Sequence, residues 1–278
     1  MTKSPSPPRA SVKPPSGDAP PPIRPAASVV ILRDGEAGIE TFMLVRQEGS
    51  GMAFSGAFVF PGGKVDSDDA APEWAKLAAQ TPGKPDRPFW IAAVRETFEE
   101  AGLLLARAAG SAMLLDSHAA HRIVEADRKS RVGGNEKLFV ELIADDNLTL
   151  AVDQMIHFGH WITPPYAPRR FDTHFFLVAA PVTQAGLFDE AESSEGVWIK
   201  PAEALAQADA GKRTLVPVTR FTLELLASWE TVEDAVTAAR KRPVVTIMPK
   251  MEKRAGGRVV QIPAGSGYLS TEIFMPGA

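Results

Sequence analysis

The segment that most constrains this chain is a helical stripe in its first half. Between Phe89 and about Ala106, residues Ile91, Val94, Phe98, Ala101 and Leu105 recur at steps of three and four, the spacing of one buried face of a 3.6-period helix. At 100° per residue with Ile91 as zero, the stripe covers roughly 280° to 360°, while Glu96, Glu99 and Glu100 fall at about 140°, 80° and 180°. The helix therefore turns one face to a core and gathers three carboxylates on the opposite one. Glu96 and Glu100 form an i,i+4 like-charge pair, which costs a few tenths of a kcal/mol in an isolated helix. A solvated acidic face would account for the cluster without chemistry. Carboxylates one turn apart are also the oxygen donors that suit Mg²⁺ or Mn²⁺, hard cations that keep waters for a substrate phosphate.

Short apolar, β-branched runs precede the helix: Ser28-Val29-Val30-Ile31-Leu32, then Thr41-Phe42-Met43-Leu44-Val45 after the turn at Asp34-Gly35-Glu36. A third strand, Ala57-Phe58-Val59-Phe60, stops at Pro61-Gly62-Gly63-Lys64. Glycine lets backbone approach a metal or phosphate closely, and Gly63 can offer its carbonyl unobstructed. Beyond the helix, helical patterns at 117–130, 136–145, 201–210, 217–228 and 231–241 alternate with strand-like segments at 160–163, 173–178, 197–199, 244–247 and 258–262. That interleaving predicts one layered α/β domain over residues 27–278, with 215–278 as an extension packed on it. Nine of the 24 prolines fall within residues 1–25, so residues 1–26 read as a disordered arm.

Composition removes several function classes. The 278 residues include no cysteine, which excludes disulfides, thiolate zinc sites and cysteine nucleophiles and fits a cytoplasmic protein. With 30 Lys+Arg against 34 Asp+Glu the net charge is -4, too acidic for a general nucleic-acid binder. No apolar run reaches membrane-span length, so neither nucleic acid nor membrane is an expected partner.

Taken together, Gly63, Arg95, Glu96, Glu99, Glu100, Gly102 and Leu103 resemble the Nudix box of the Nudix hydrolases, G-x5-E-x7-R-E-U-x-E-E-x-G-U with U bulky and apolar. Asp69 stands at the first glutamate position and Thr97 at the U after Arg95-Glu96. Between Asp69 and Arg95 lie 25 residues where the box has seven, with Pro72, Pro82, Gly83, Pro85 and Pro88 among them. Residues 70–88 are thus expected to form an insertion outside the core, bordering the substrate groove. An expanded box of this kind resembles the acyl-CoA diphosphatase branch. So does Trp161-Ile162-Thr163-Pro164 followed by Arg170-Phe171-Asp172-Thr173-His174-Phe175-Phe176. Leu44, Arg46, Gly56 and Phe60-Pro61-Gly62-Gly63 keep the spacing of that branch's CoA signature, whereas Met52 replaces its second arginine and Gln47-Glu48 its Ser-Ala.

The resemblance implies a Nudix α/β/α sandwich with a mixed sheet and metal-dependent hydrolysis of a small-molecule diphosphate. CoA or an acyl-CoA leads the substrates, with ADP-ribose or a dinucleotide as the alternative. A non-catalytic nucleotide-sensing module fits less well, because all three helix glutamates are present. An isopentenyl-diphosphate isomerase relative would need a cysteine. Mg²⁺ or Mn²⁺ would be held by Glu96, Glu99, Glu100 and the Gly63 carbonyl, with Arg95 orienting a signature carboxylate. The resemblance also suggests a base in a later loop, where Glu192 and Glu195 stand, with Arg46, Arg170, Gly62 and Lys64 on substrate; a structural Arg170–Asp172 pairing is the competing account of Arg170. His118 and His121, and His157 and His160, are two H-x2-H pairs lacking the further ligand that zinc requires. Trp161, Trp198 and Trp229 read as core residues, and the resemblance allows a homodimer.

Overall fold

The computed structural model describes residues 20–46, 56–132, 137–181, 184 and 193–276. Its central strand is the first, β1 (Ile23–Gly35), whose side chains alternate between two cores: Ala27, Val29 and Ile31 on one face, Val30 and Leu32 on the other. Burial on both faces is why its sequence is continuously apolar rather than alternating. Next come β2 (Gly38–Arg46), β3 (Ala57–Val59), β4 (Gly62–Lys64), a 3₁₀ turn (Ser67–Ala70), α1 (Trp74–Leu77), α2 (Arg87–Ala101) and β5 (Ala106–Ala108). The middle of the chain supplies α3 (Ser117–Val132), α4 (Phe139–Asp145), β6 (Leu148–Leu150), β7 (Ile156–Ile162), β8 (Arg170–Ala179) and β9 (Ser193–Ile199). The last third adds α5 (Pro201–Asp209), β10 (Thr214–Leu215), α6 (Pro217–Leu226), α7 (Val232–Lys241), β11 (Thr246–Ile247), β12 (Lys250–Arg254), β13 (Gly257–Gln261) and β14 (Glu272–Pro276).

Among the described residues, nine strands form one mixed sheet in the order β10-β3-β2-β1-β8-β7-β11, with β4 also pairing β1 and β9 also pairing β2. β1 runs parallel to β8 and antiparallel to β2 and β4. Helix α2 lies on one face, where Ile91, Val94, Phe98 and Ala101 meet Val29, Ile31 and Phe176. On the other face Phe221 and Leu226 of α6 and Ala235 and Ala239 of α7 meet Val30, Leu32 and Met43. The expected α/β/α sandwich is therefore the observed one, and the C-terminal segment supplies its second helical layer. Beyond that layer, β12, β13 and β14 form a separate three-stranded sheet that sends Val260 and Ile273 into the same core. None of the described helices is long and apolar enough to cross a membrane.

Two boundaries differ from the sequence reading. The ordered domain begins at Ile23 rather than Ala27, because Ile23, Arg24, Pro25 and Ala26 pair with Arg170, Phe171, Asp172 and Thr173 on β8. Long-range pairing, not local apolarity, orders those four residues. The insertion at 70–88 is also not external. Trp74 is 1% exposed, packs against Phe139 and donates its indole N–H to the Asp68 carbonyl, and Ala78 bridges to Leu150. Residues 82–84 are exposed, but Pro85 is buried with its carbonyl accepting the Trp90 indole N–H, and the aromatic anchor Trp74 belongs to the core. Trp161 is buried, and Trp198 and Trp229 are half-buried against Phe42 and Phe158.

Candidate active site

Helix α2 begins after Asp86 with Pro88 in its first turn and ends at Gly102, whose left-handed conformation (φ 60°) lets its N–H reach the Phe98 carbonyl at 3.0 Å. Thr97, fully buried at an apolar position of the pattern, satisfies its hydroxyl by donating to the Ala93 carbonyl at 2.7 Å. The polar face of α2 then meets the glycine turn. The Gly62 N–H donates to Glu100 Oε2 at 2.7 Å. A Cβ on Gly62 would lie 2.3 Å from the Ala27 carbonyl oxygen, and one on Gly63 would lie 2.4 Å from Glu96 Oε2. Only glycine lets β1, β4 and the acidic helix come this close.

Arg95 ties the arrangement together. It points away from solvent and clamps Asp69 with two bonds of 2.9 Å, Nε to Oδ1 and Nη2 to Oδ2. Nη1 donates to Glu96 Oε1 at 2.8 Å and to Glu99 Oε2 at 3.1 Å, and Nη2 also reaches the Lys64 carbonyl at 2.9 Å. Burial opposes the charge, but the bonds to Asp69 and the charges of Asp69, Glu96 and Glu99 outweigh it and hold the guanidinium above its ordinary range. Asp69, 1% exposed, accepts a further bond from the Asp66 N–H at 2.8 Å. Arginine and aspartate are thus spent on each other and on aiming the glutamates.

Glu96 and Glu100 stand against the Gly62–Gly63 backbone, and Glu99, on the same helix, faces Arg95 and Arg131; together they are an all-oxygen donor set of the kind that suits a hard divalent cation. Next to them opens a cavity of about 190 Å³ lined in part by Asp66, Trp74, Glu99, Arg131, Lys137 and Phe139. Arg131 of α3 donates to Glu99 Oε1 at 3.2 Å and to Asp127 Oδ2 at 2.8 Å. Burial lowers its pKa, but Asp127 and Glu99 together raise it above the usual value. Sequence reasoning missed Arg131; its only signal was the i,i+4 spacing to Asp127.

The family model of the NUDT19 Nudix domain matches residues 82–225, just over half of the chain and including α2. The chain belongs to the Nudix family. "Putative nudix hydrolase 7" of Caenorhabditis elegans is 33% identical over 178 residues, 63% of this chain and 52% of that protein. "Acyl-coenzyme A diphosphatase NUDT19" of Xenopus laevis is 24% identical over 252 residues, 76% of this chain and 66% of the relative. The Homo sapiens protein of the same name is 26% identical over 284 residues, 86% and 74% of the two chains. The chain thus spans between half and three quarters of the length of these curated relatives. A crystal structure of a NUDIX hydrolase from Alicyclobacillus acidocaldarius matches with a TM-score of 0.63 at 26% identity, over 78% of this chain and 96% of that one.

Within this Nudix fold the remaining candidates are scattered. Lys64 is exposed on β4 and uses its carbonyl on Arg95. Arg170 is 7% exposed and donates Nε to the Thr163 carbonyl at 3.1 Å and Nη1 to the Pro21 carbonyl at 3.4 Å. It ties the segment before β1 to the loop before β8, with those carbonyls rather than Asp172 as its partners. Arg46 closes β2 opposite Ser193, and Glu195 pairs with Val45 on β9, but the side chains of both lie outside the described residues, as does Glu192. Asp172 instead meets histidines. His160 of β7 lies 2.5 Å through Nε2 from Asp172 Oδ1 and stacks on His174 of β8, which in turn meets His157, so the pair His157 and His160 gains its neighbours from the adjacent strand. Burial and the charge of His160 push His157 down to about 4; the same two causes and the charge of His157 push His174 down to about 3, although Asp172 pulls it up.

Proposed function

We propose that this Nudix chain hydrolyses the diphosphate linkage of CoA or an acyl-CoA, giving 3′,5′-ADP and 4′-(acyl)phosphopantetheine. The observation that carries the reading is the meeting of Glu96 and Glu100 with the Gly62–Gly63 backbone, with Glu99 held beside Glu96 by Arg95, in a chain matched by the NUDT19 Nudix domain model. Those glutamates and the Gly63 carbonyl would hold Mg²⁺ or Mn²⁺, which would supply positive charge to neutralise a diphosphate and acidify water. The chain's own residues do the rest. Arg95 fixes Glu96 and Glu99 while Asp69 holds Arg95, so the carboxylates are aimed before substrate arrives. Gly62 and Gly63 let the turn lie directly against Glu96 and Glu100, which keeps the Gly63 carbonyl beside those carboxylates. Lys64 and Arg46 meet substrate anions, and Glu195 accepts a proton from the attacking water as the water oxygen bonds to one phosphorus and that phosphorus loses its bond to the bridging oxygen, which departs on the other phosphate. The cavity beside Glu99, with Trp74, Phe98 and Phe139 among its walls, is suited to an apolar substituent, and Arg131 and Lys137 to a further phosphate.

The test is a panel of CoA, acyl-CoAs, ADP-ribose and dinucleoside polyphosphates incubated with Mg²⁺ or Mn²⁺, products being separated by chromatography. The reading expects 3′,5′-ADP from CoA esters as the fastest product. Rapid cleavage of ADP-ribose or dinucleotides with CoA esters left intact would replace it.

A further inference from the structure

Three cationic side chains line the cavity beside the acidic helix, and they are held with unequal firmness. Arg95 is buried and fixed by two 2.9 Å bonds to Asp69, itself 1% exposed. Lys137 pairs with Asp145 at 2.6 Å, both of them about half exposed. Arg131 bridges two helices. It donates Nε to Asp127 Oδ2 on its own helix α3 at 2.8 Å, and Nη2 across to Glu99 Oε1 on α2 at 3.2 Å.

Glu99 therefore carries a guanidinium donor on each oxygen, Arg95 on Oε2 at 3.1 Å and Arg131 on Oε1. The two contacts are not equivalent. Arg95 cannot withdraw without leaving Asp69 and the Lys64 carbonyl in a buried site, whereas the Arg131 side chain is 40% exposed and its longer bond is the one to Glu99. An ion pair so open to water contributes little and is readily exchanged.

A divalent cation held by Glu99 has the same sign as Arg131. At one carboxylate the two repel, and the repulsion outweighs a part-exposed ion pair that water can replace. The charge of the cavity points the same way. Five carboxylates line it against the three cations, so a phosphate entering it as it stands meets a negative wall. A divalent cation on Glu99 brings the two signs level and leaves the Nη donors of Arg131 for an anion.

We infer that Arg131 is an exchangeable counter-charge: it neutralises Glu99 until a divalent cation is held there, then turns its fork to the substrate phosphate that lies outside the scissile diphosphate. Divalent cation and phosphate then bind cooperatively, because both favour the same position of Arg131. The inference rests on the diphosphatase reading above and states how its second phosphate is admitted, which for CoA is the 3′-phosphate.

The test is calorimetric titration of the full chain as wild type, Arg131→Gln and Arg128→Gln. Arg128, three residues away on α3 and mostly exposed, is the control for loss of one charge. In the first arm Mg²⁺ is added to nucleotide-free protein. Arg131→Gln is expected to bind it about three- to fivefold more tightly than wild type, and Arg128→Gln to stay within about 1.5-fold. In the second arm 3′,5′-ADP and 5′-AMP are compared, so that their affinity ratio reads the 3′-phosphate alone. The wild type is expected to prefer 3′,5′-ADP by at least about tenfold in Mg²⁺ and to lose most of that preference in EDTA, while Arg131→Gln lacks it in both. Unchanged or weaker Mg²⁺ binding in Arg131→Gln overturns the inference and makes Arg131 a support of Glu99. So does a 3′-phosphate preference that is absent from the wild type, survives in Arg131→Gln, or is equally strong in EDTA. The first arm contains no nucleotide, so cleavage of ADP-ribose in place of CoA esters would remove the 3′-phosphate assignment and leave the Mg²⁺ result standing.

Discussion

The clamp between Asp69 and Arg95 makes the sharpest stability prediction. Both Asp69 oxygens accept, Oδ1 from Arg95 Nε and Oδ2 from Arg95 Nη2 and the Asp66 N–H, all at 2.8–2.9 Å. In Asp69→Asn one of those oxygens becomes an NH₂ group, so either orientation sets a donor against a donor of Arg95 in a site that is 1% exposed. Removing one member of a buried ion pair costs about 3–5 kcal/mol. Glu96 and Glu99 still lie 2.8 and 3.1 Å from Nη1, which argues for the lower end, about 3 kcal/mol. At roughly 2–4 °C per kcal/mol in a domain of this size, Tm falls by about 6–12 °C. Circular dichroism melts in EDTA read the change without metal binding to mask it. Asp66→Asn is the control: its carboxylate is mostly exposed and 3.6 Å from Arg95, so Tm should move by less than about 2 °C. An Asp69→Asn melt within about 2 °C of wild type would refute the argument that Arg95 depends on Asp69.

Trp74→Ala should cost about 3–5 kcal/mol, measured by urea unfolding, because the insertion's tryptophan is core; an external loop would lose almost nothing. Gly63→Ala drives a methyl into Glu96 and should raise the half-saturating Mg²⁺ concentration about tenfold while far-UV circular dichroism is unchanged. His157 and His174 titrate near 4 and 3 in the fold but near 6.5 when unfolded, so the unfolded chain binds more protons between those values. Stability of the EDTA-treated chain is therefore insensitive to these groups above pH 6.5 and falls as pH drops from 6.5 through 4. His160, Asp172, Thr246 and the ring of Phe89 face the pair, and His157→Gln should flatten the slope in paired melts at pH 7.5 and 5.

Elements whose signal is local were legible in the sequence. The α2 stripe and the apolar runs of β1, β2 and β8 carry their own periodicity, and the spacing from Arg95 to Leu103 pointed to the family before any coordinates. What escaped depends on partners distant in sequence. Arg24 and Pro25 look like arm until β8 pairs with them, and Trp74 looks like loop among prolines until Phe139 arrives from α4. Arg170 was read for its charge, but its neighbours are the Thr163 and Pro21 carbonyls. His160 finds Asp172 and His174 as neighbours only because β7 pairs with β8. Asp69 is 26 residues from Arg95, and the spacing of a shorter box was needed to pair them.

The central claim is that the α2 glutamates at the glycine turn form the diphosphate-cleaving centre. Release of 3′,5′-ADP from CoA, followed with Mg²⁺ for the wild type, Glu99→Gln and Glu100→Gln and repeated in EDTA, tests it most directly. The account predicts a loss in kcat of at least about a hundredfold in each variant, the scale of removing a main electrostatic element, no turnover in EDTA, and a preserved fold by circular dichroism. Full turnover in either variant, or in EDTA, would contradict it.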